Sequence, residues 1–357
     1  MIVAMALGLL GVLGSAVVSG QSMAANAGDR GYSQDAGPQA SAEAFNGIDR
    51  GTADAAADQR GQAGAPAAAS EPTATTFANA QTFASPEAAV KAFIAALRAT
   101  DDAKLQAIFG TQKGLLSSGD AIADRTAMQR FLKYYDKQHS LAETGAGRTT
   151  LRIGEGAWPF PIPIAKGGGG FYFDTAAGAD TVVRRRMGRN ELGAIAVCSG
   201  YVAAQKDYAL AGHDGQPAGS YAQTLMSDPG KQNGLFWPVS ADARPSPGGR
   251  LLAEAAAEGY RRNTSGKPTP YHGYLYRPLT AQGPHAQDGA KSFLRDGRQV
   301  DGFALVAYPA DYGRTGRKTF IVNQDGIVYE SDLGAQTAQI VAAMREFEPE
   351  RSWRPAL

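Results

Sequence analysis

The feature that most restricts this sequence is a long stretch of low complexity near its start. Residues 28–82 are rich in Ala, Gly, Gln, Ser and Asp, and their only aromatic residues are Tyr32, Phe45 and Phe77. A segment of this composition buries too little apolar area to offset the entropy lost on ordering. We therefore predict a disordered tether over residues 28–82. About 275 of the 357 residues then remain to fold, which is enough for two lobes.

The segment before the tether has the character of an export signal. Residues 2–18 form an apolar run without a charged side chain, and this run is shorter than the roughly 20 residues of a spanning helix. Small residues follow, and Ser22-Met23-Ala24 or Ala25-Asn26-Ala27 suits a signal peptidase. We predict a signal peptide over residues 1–27 and a location in the periplasm or cell envelope. An uncleaved N-terminal anchor is the alternative.

Charge and cysteine content exclude several functions. The chain has 35 Lys and Arg against 34 Asp and Glu. Residues 28–71 hold seven acids and three arginines, so their net charge is −4. The whole chain has a net charge of +1, and its first 27 residues have no charged side chain. Residues 72–357 therefore have a net charge of +5. Nucleic-acid binding needs a clearer positive excess. A single cysteine excludes an internal disulfide and Cys-rich metal sites, and the four scattered histidines argue against a multi-His site.

The first predicted lobe, residues 83–186, begins with helices and continues with strands. Ser85, Pro86 and Glu87 suit the cap and first turn of a helix, and apolar residues then recur at helical spacing to about residue 100. Two further helices, beginning near residues 101 and 120, precede strands at 149–153, 158–164 and 171–173. The Pro-rich residues 158–163 belong at a sheet edge or in a polyproline conformation. Glycines 167–170 are interpreted as a hairpin turn, because no Gly-Lys-Ser/Thr motif enters a helix there.

The second predicted lobe, residues 187–357, begins with a helix from Asn190 to about Leu210. Strands are predicted at 271–276, 303–308, 318–322 and 327–329, with a hairpin turn at 323–326. Helices are predicted at 251–260 and at about 337–347, the latter covering the sheet. Cys198 lies mid-helix among apolar residues and is interpreted as a small buried side chain. The predicted fold class is α+β, with helices packed on antiparallel sheets in two lobes.

Four arginines precede the predicted helix of the second lobe. One interpretation is that they form a binding site for an anion or an acidic partner. The alternative is that they form a solvated surface and pair with nearby acidic residues. The four are Arg184, Arg185, Arg186 and Arg189.

Several long motifs occur in order along the chain. They are Ser85-Pro86-Glu87, Trp158-Pro159-Phe160-Pro161, Gly188-Arg189-Asn190-Glu191-Leu192, Ala307-Tyr308-Pro309-Ala310-Asp311-Tyr312-Gly313, Thr319-Phe320-Ile321-Val322-Asn323-Gln324-Asp325-Gly326 and Val328-Tyr329. With these motifs, the chain from about Phe83 to Pro355 resembles the exported bacterial family called domain of unknown function (DUF) 2950. That family has no established activity, so the resemblance implies export and assigns no catalytic residue.

Two weaker resemblances concern the lobes. Helices followed by a curved sheet make the first lobe similar to the NTF2-like cone, a fold that often holds a small ligand. Asn190-Glu191, an Ala-rich helix ending at Tyr208 and a sheet over residues 319–329 make the second lobe similar to the soluble domains of type IV pilins and pseudopilins. Pilins place an apolar membrane helix and a processing site directly before that segment, whereas here a folded lobe and four arginines precede it.

These observations favour a non-enzymatic cell-envelope protein that binds a protein or an envelope polymer through exposed loops and the arginines. The alternative is a small-ligand binder or enzyme with a pocket in the first lobe, for which His139, Tyr172 and Asp174 are the candidate polar groups. The sequence has no Ser/His/Asp spacing, paired catalytic carboxylates or metal motif, and we predict no cofactor.

Overall fold

The computed structural model describes residues 81–110, 117–145, 147–240, 243–248 and 269–356. The predicted signal peptide, nearly all of the predicted tether and the helix predicted at 251–260 lie outside these residues. The described helices are α1 (Pro86–Arg98), α2 (Asp102–Phe109), α3 (Ala121–Lys137), α4 (Thr175–Tyr208) and α5 (Thr337–Ala343). The fold is α+β, as predicted.

The first three helices begin where their capping residues predict. The Ser85 hydroxyl accepts a hydrogen bond from the Ala88 N–H (3.2 Å) at the start of α1. Asp101 and Asp120 cap α2 and α3 through their carboxylates. Each cap satisfies a backbone donor that has no partner within its own helix. The predicted starts of these helices are therefore confirmed.

The first sheet follows these helices. Its path is β1-β2-β4-β5, with β3 paired to β2 and all pairs antiparallel. The turn from β4 to β5 pairs Gly167 with Gly170, which confirms the predicted hairpin. The Pro-rich segment contributes only the two residues of β3, because proline has no N–H for a ladder. The strands are β1 (His139–Glu143), β2 (Arg148–Ile153), β3 (Trp158–Pro159), β4 (Ile164–Gly167) and β5 (Gly170–Phe173).

A cluster of phenylalanines forms the core between these helices and the first sheet. Phe93 of α1 is buried in its midst, and its ring centroid lies 5.1 Å from Phe109, 5.6 Å from Phe131, 5.4 Å from Phe160 and 5.6 Å from Phe173. Aromatic pairs at these distances stabilise a core beyond the area that they bury.

Helix α4 is much longer than the predicted one, because it begins at Thr175 rather than Asn190. The carboxylate of Asp174 caps it by accepting from the Ala177 N–H (3.1 Å). Val182 in its first half belongs to the first core, whereas Cys198 in its second half belongs to a second core. The predicted boundary between residues 186 and 187 therefore falls inside a continuous helix.

Two glycines of α4 give a matched test of this packing. An added Cβ at Gly178 would lie 2.7 Å from the Pro161 oxygen and 2.8 Å from the Ile162 Cα, whereas at Gly188 it would meet nothing within 4 Å. We expect Gly178→Ala to destabilise the protein by about 1–3 kcal/mol. Gly188→Ala should stabilise it by about 0.5–1 kcal/mol. The urea concentration at the unfolding midpoint should fall for Gly178→Ala and rise for Gly188→Ala. Shifts of both midpoints in the same direction would contradict this packing.

The main sheet of the C-terminal part has the order β17-β15-β14-β13-β8, and all its pairs are antiparallel. The hairpin predicted at 323–326 joins β14 to β15 and is confirmed; Gly326 takes φ +82° there. The strands are β8 (Tyr274–Leu279), β13 (Ala304–Pro309), β14 (Lys318–Asn323), β15 (Tyr329–Asp332) and β17 (Arg354–Pro355).

Strand β13 is apolar throughout because both faces of this sheet are covered. Leu305 belongs to the core shared with α4, while Val306 belongs to another core that includes Val341 of α5. Helix α5 ends at Ala343, before the predicted end near Phe347, because Phe347 instead lies in a short strand that pairs in parallel with residues Ala281–Gln282. The remaining short strands are β6 (Thr224–Met226), β7 (Gly234–Phe236), β9 (Ala281–Gln282), β10 (Lys291–Ser292), β11 (Leu294–Arg295), β12 (Arg298–Gln299) and β16 (Glu346–Phe347).

Candidate functional site

The four arginines do not share one face, and they lie in the middle of α4 rather than before a helix. Arg184 is exposed, whereas Arg185 donates from Nη1 to the Pro159 oxygen (2.9 Å). Arg186 exposes only 1% of its surface, and Arg189 is half-buried. Neighbouring residues on a helix point about 100° apart, so the side chains diverge. Arg186 consequently offers no surface to a partner.

Arg186 instead belongs to a polar junction between α3, α4 and the loop after β13. Its Nη1 donates to the Arg314 oxygen (3.5 Å). Burial lowers its pKa to about 10, an effect that the Asp124 charge opposes. Asp124 accepts hydrogen bonds from the Ser118 hydroxyl (2.6 Å) and the Ser117 hydroxyl (3.1 Å), and burial raises its pKa. The junction therefore places a buried guanidinium in the field of a buried carboxyl group.

The same junction joins two motifs of the sequence. Asn190 donates to the Thr315 oxygen (2.9 Å), and the Glu191 carboxylate accepts from the N–H groups of Arg317 (2.9 Å) and Lys318 (3.2 Å). The motif at 188–192 thus fixes the loop that follows the motif at 307–313. This contact gives Asn190 and Glu191 a structural role within the chain.

His272 lies in a turn beside this junction. Its φ of +49° places it in the left-handed region, which is uncommon for residues other than glycine and asparagine. Burial lowers its pKa; the Asp120 charge opposes this shift, whereas Arg189 and Arg130 reinforce it. This turn occupies 271–273, so β8 begins at Tyr274 rather than at the predicted residue 271.

The lowered pKa of His272 predicts an acid sensitivity. Its contribution to stability is complete above its unfolded pKa of 6.5 and is lost as the pH falls through the lower folded pKa. We expect His272→Asn to remove this loss, because asparagine tolerates the left-handed backbone and does not titrate. Urea unfolding of both proteins from neutral to acid pH measures the difference. If the free energies of unfolding of the native protein and of His272→Asn differ by the same amount at every pH, this account is wrong.

The predicted pocket residues are not brought together. Strands β1 and β5 lie at opposite edges of the first sheet, so His139 is separated from Tyr172. Tyr172 is buried, and Asp174 caps α4 and forms an ion pair with Arg148 (3.2 Å). Of the three, His139 lines the groove between α1 and β1.

This groove, between α1 and the edge strand β1, has a volume of about 390 Å³. Its floor is apolar and includes the buried Val90, Ile94 and Leu151. The volume lies within the range of about 300–1,000 Å³ that is typical of ligand sites. Helix α1 contributes Glu87, Val90, Lys91, Ile94, Ala95 and Arg98, and Tyr135, His139, Leu141 and Leu151 complete the lining.

Each end of the groove has its own polar groups. At one end Arg98 forms an ion pair with Asp136, and the His139 ring stacks on Tyr135 with centroids 3.9 Å apart. The His139 Nδ1 lies 2.9 Å from the Tyr135 carbonyl oxygen; since that oxygen only accepts, Nδ1 is the donor. Glu87 lies at the far end of α1, and a hydrogen bond with Ser85 lowers its pKa, which favours the carboxylate. Both ends of the groove therefore carry charges of both signs: Glu87 and Lys91 lie one turn apart on α1 at one end, and Arg98 is paired with Asp136 at the other.

The other reactive side chains have structural surroundings. Cys198 is fully buried, and burial raises its pKa to about 12, which confirms its interpretation as a packing residue. His213 stacks on Tyr208, with centroids 4.1 Å apart. The backbone N–H of His285 donates to the Glu348 carboxylate (3.0 Å), and the His285 ring contacts the same carboxylate. Among the residues that the structure describes, no three His, Cys, Asp or Glu side chains are grouped to hold a metal ion.

Fold and groove together define an α+β protein whose long helix α4 connects a groove-bearing part to a second antiparallel sheet. The chain belongs to the family described as "Protein of unknown function (DUF2950)", whose model matches residues 80–356. This match confirms the family resemblance. No curated protein and no solved structure matches the chain, so the NTF2-like and pilin-like assignments stay predictions. Within the described ranges, no helix has the length and apolar composition needed to cross a membrane.

Proposed function

We propose that this chain is an exported binding protein that holds part of another cell-envelope molecule in the groove between α1 and β1. The observation that carries this proposal is the groove itself, with an apolar floor and charged ends. Export is supported by the apolar run and cleavage sites within residues 1–27.

The groove favours binding over catalysis because its polar groups are held by neighbours. Arg98 is paired with Asp136, and the Nδ1 of His139 is held by the Tyr135 carbonyl. Catalysis by nucleophilic attack needs an activated nucleophile within reach of a base, and the lining residues of the groove provide no serine, threonine or cysteine. Apolar contact is the main source of affinity that such a lining offers, at about 25 cal/mol per Å² buried.

The groove, rather than the arginines, is therefore the proposed contact surface. Arg184 alone among the four is exposed, and Arg185 is engaged with the backbone of Pro159. The four side chains therefore do not form one exposed basic patch on α4.

Site-specific photocrosslinking in intact producing cells tests the proposal. Ala95 lines the groove and is exposed, so a benzophenone side chain at this position should yield an adduct with the bound molecule. Ala103, an exposed alanine on α2 outside the groove, is the matched control. We expect an adduct at Ala95 and none at Ala103. Equal labelling at both positions, or labelling at neither, would contradict the proposed site.

A further inference from the structure

We propose that the occupant of the groove is an extended polypeptide segment, which adds as a strand to the outer edge of β1. This inference rests on the binding function proposed above and names the class of its ligand. It follows from the backbone of β1 and from the lining and dimensions of the groove.

The hydrogen bonds at the ends of β1 show which of its backbone groups face β2. The Thr144 N–H donates to the Arg148 oxygen (2.9 Å), and the Gly154 N–H donates to the Gln138 oxygen (2.8 Å). The register between the two bonds is unbroken, with Ser140 opposite Arg152. Antiparallel strands alternate between bonded and non-bonded pairs. The even-numbered residues from 138 to 144 therefore bond to β2.

The odd-numbered residues of β1 face the other way. The backbone N–H and C=O groups of His139, Leu141 and Glu143 point away from β2, and no described strand pairs with that edge. Two of these residues, His139 and Leu141, also line the groove with their side chains. A polypeptide supplies both the backbone partners and the side chains that such a site needs. A hydrocarbon chain or a fatty acid would leave the strand edge without partners.

The dimensions of the groove match a short strand. Its lining on α1 runs from Glu87 to Arg98, which corresponds to about 16 Å at 1.5 Å per helical residue. A β-strand covers the same distance in five steps of about 3.3 Å, that is, in about six residues. Strand β1 itself has five residues. An added strand of similar length would fit the groove beside Val90 and Ile94.

A selection from random peptides displayed on phage tests this inference with the full chain. Phage that bind the Ala95→Trp variant, whose indole fills the groove, are first removed from the library. The remaining phage are then selected for binding to the native protein. We expect peptides with apolar residues at alternate positions, because alternate side chains of a strand face the same side. Methylating alternate backbone nitrogens of a selected peptide should weaken binding by about tenfold or more, equivalent to about 1.4 kcal/mol. Methylating the intervening nitrogens should change it little.

Several outcomes would overturn the inference. Selected peptides whose key residues recur at helical spacing, or which tolerate methylation at every position, would exclude strand addition. If no peptide distinguishes the native groove from Ala95→Trp while Ala95 still crosslinks in cells, the ligand is not a polypeptide, yet the proposed binding function stands. A peptide-free chain that sediments as a dimer, and as a monomer when Ala95 is replaced by tryptophan, would make a second copy the occupant.

Discussion

Replacing Arg186 by alanine is expected to destabilise the protein by about 3–5 kcal/mol, the cost of breaking a buried charge arrangement by removing one partner. Arg186 is among the largest fully buried side chains in the described ranges. Its loss leaves a cavity at the polar junction and removes a positive charge that favours the ionised form of Asp124. Urea unfolding at neutral pH measures the effect.

Arg184→Ala is the matched control, since Arg184 is exposed on the same turn of α4. Its effect should stay within about 0.5 kcal/mol, as for most surface changes. The double variant Arg186→Ala with Asp124→Asn should lose less stability than the two single variants together, because the two groups are coupled. Similar losses for Arg186→Ala and Arg184→Ala would show that the arginines act as a surface patch after all.

The second large effect concerns the groove. Ala95→Trp should abolish the adduct formed in cells with a crosslinker at a neighbouring groove position such as Lys91. It should also weaken selected ligands by at least about tenfold. The reason is steric, because an indole at an exposed position of α1 occupies the space above Ile94. The folded state should tolerate the change, since the Ala95 side chain contributes to no buried core.

Ala103→Trp is the control for this variant, because it adds the same indole to an exposed position of α2 outside the groove. Its adduct yield and melting temperature should match those of the native protein. Loss of binding in both variants, or in neither, would count against the groove as the contact surface.

Local features of this fold were predictable from the sequence. The cap at Ser85 and the hairpin at 323–326 depend on neighbouring residues, and the structure has both. The extent of α4 was not predictable in the same way. The stretch around Arg184 lacks apolar periodicity, because the helix passes from one core to another and the buried side of the helix changes along it.

The groove escaped prediction because residues distant in the sequence build it. Glu87 and Arg98 of α1 meet His139 and Leu141 of β1 only through the packing of the first core. His139 was a predicted pocket residue and does line the groove. Tyr172 was predicted to share a pocket with it, but strand order is a tertiary property, and it places β1 and β5 at opposite edges. Burial of Arg186 likewise depends on contacts with the distant loop at 311–316.

Hydrogen exchange of the full chain, with and without the molecule that crosslinks to Ala95, tests the central claim most directly. If the groove is the binding site, exchange should slow in α1 and at the outward-facing amides of His139, Leu141 and Glu143. Exchange in the main C-terminal sheet should stay unchanged. Protection confined to the arginine segment of α4 or to that sheet, with β1 unaffected, would contradict the account.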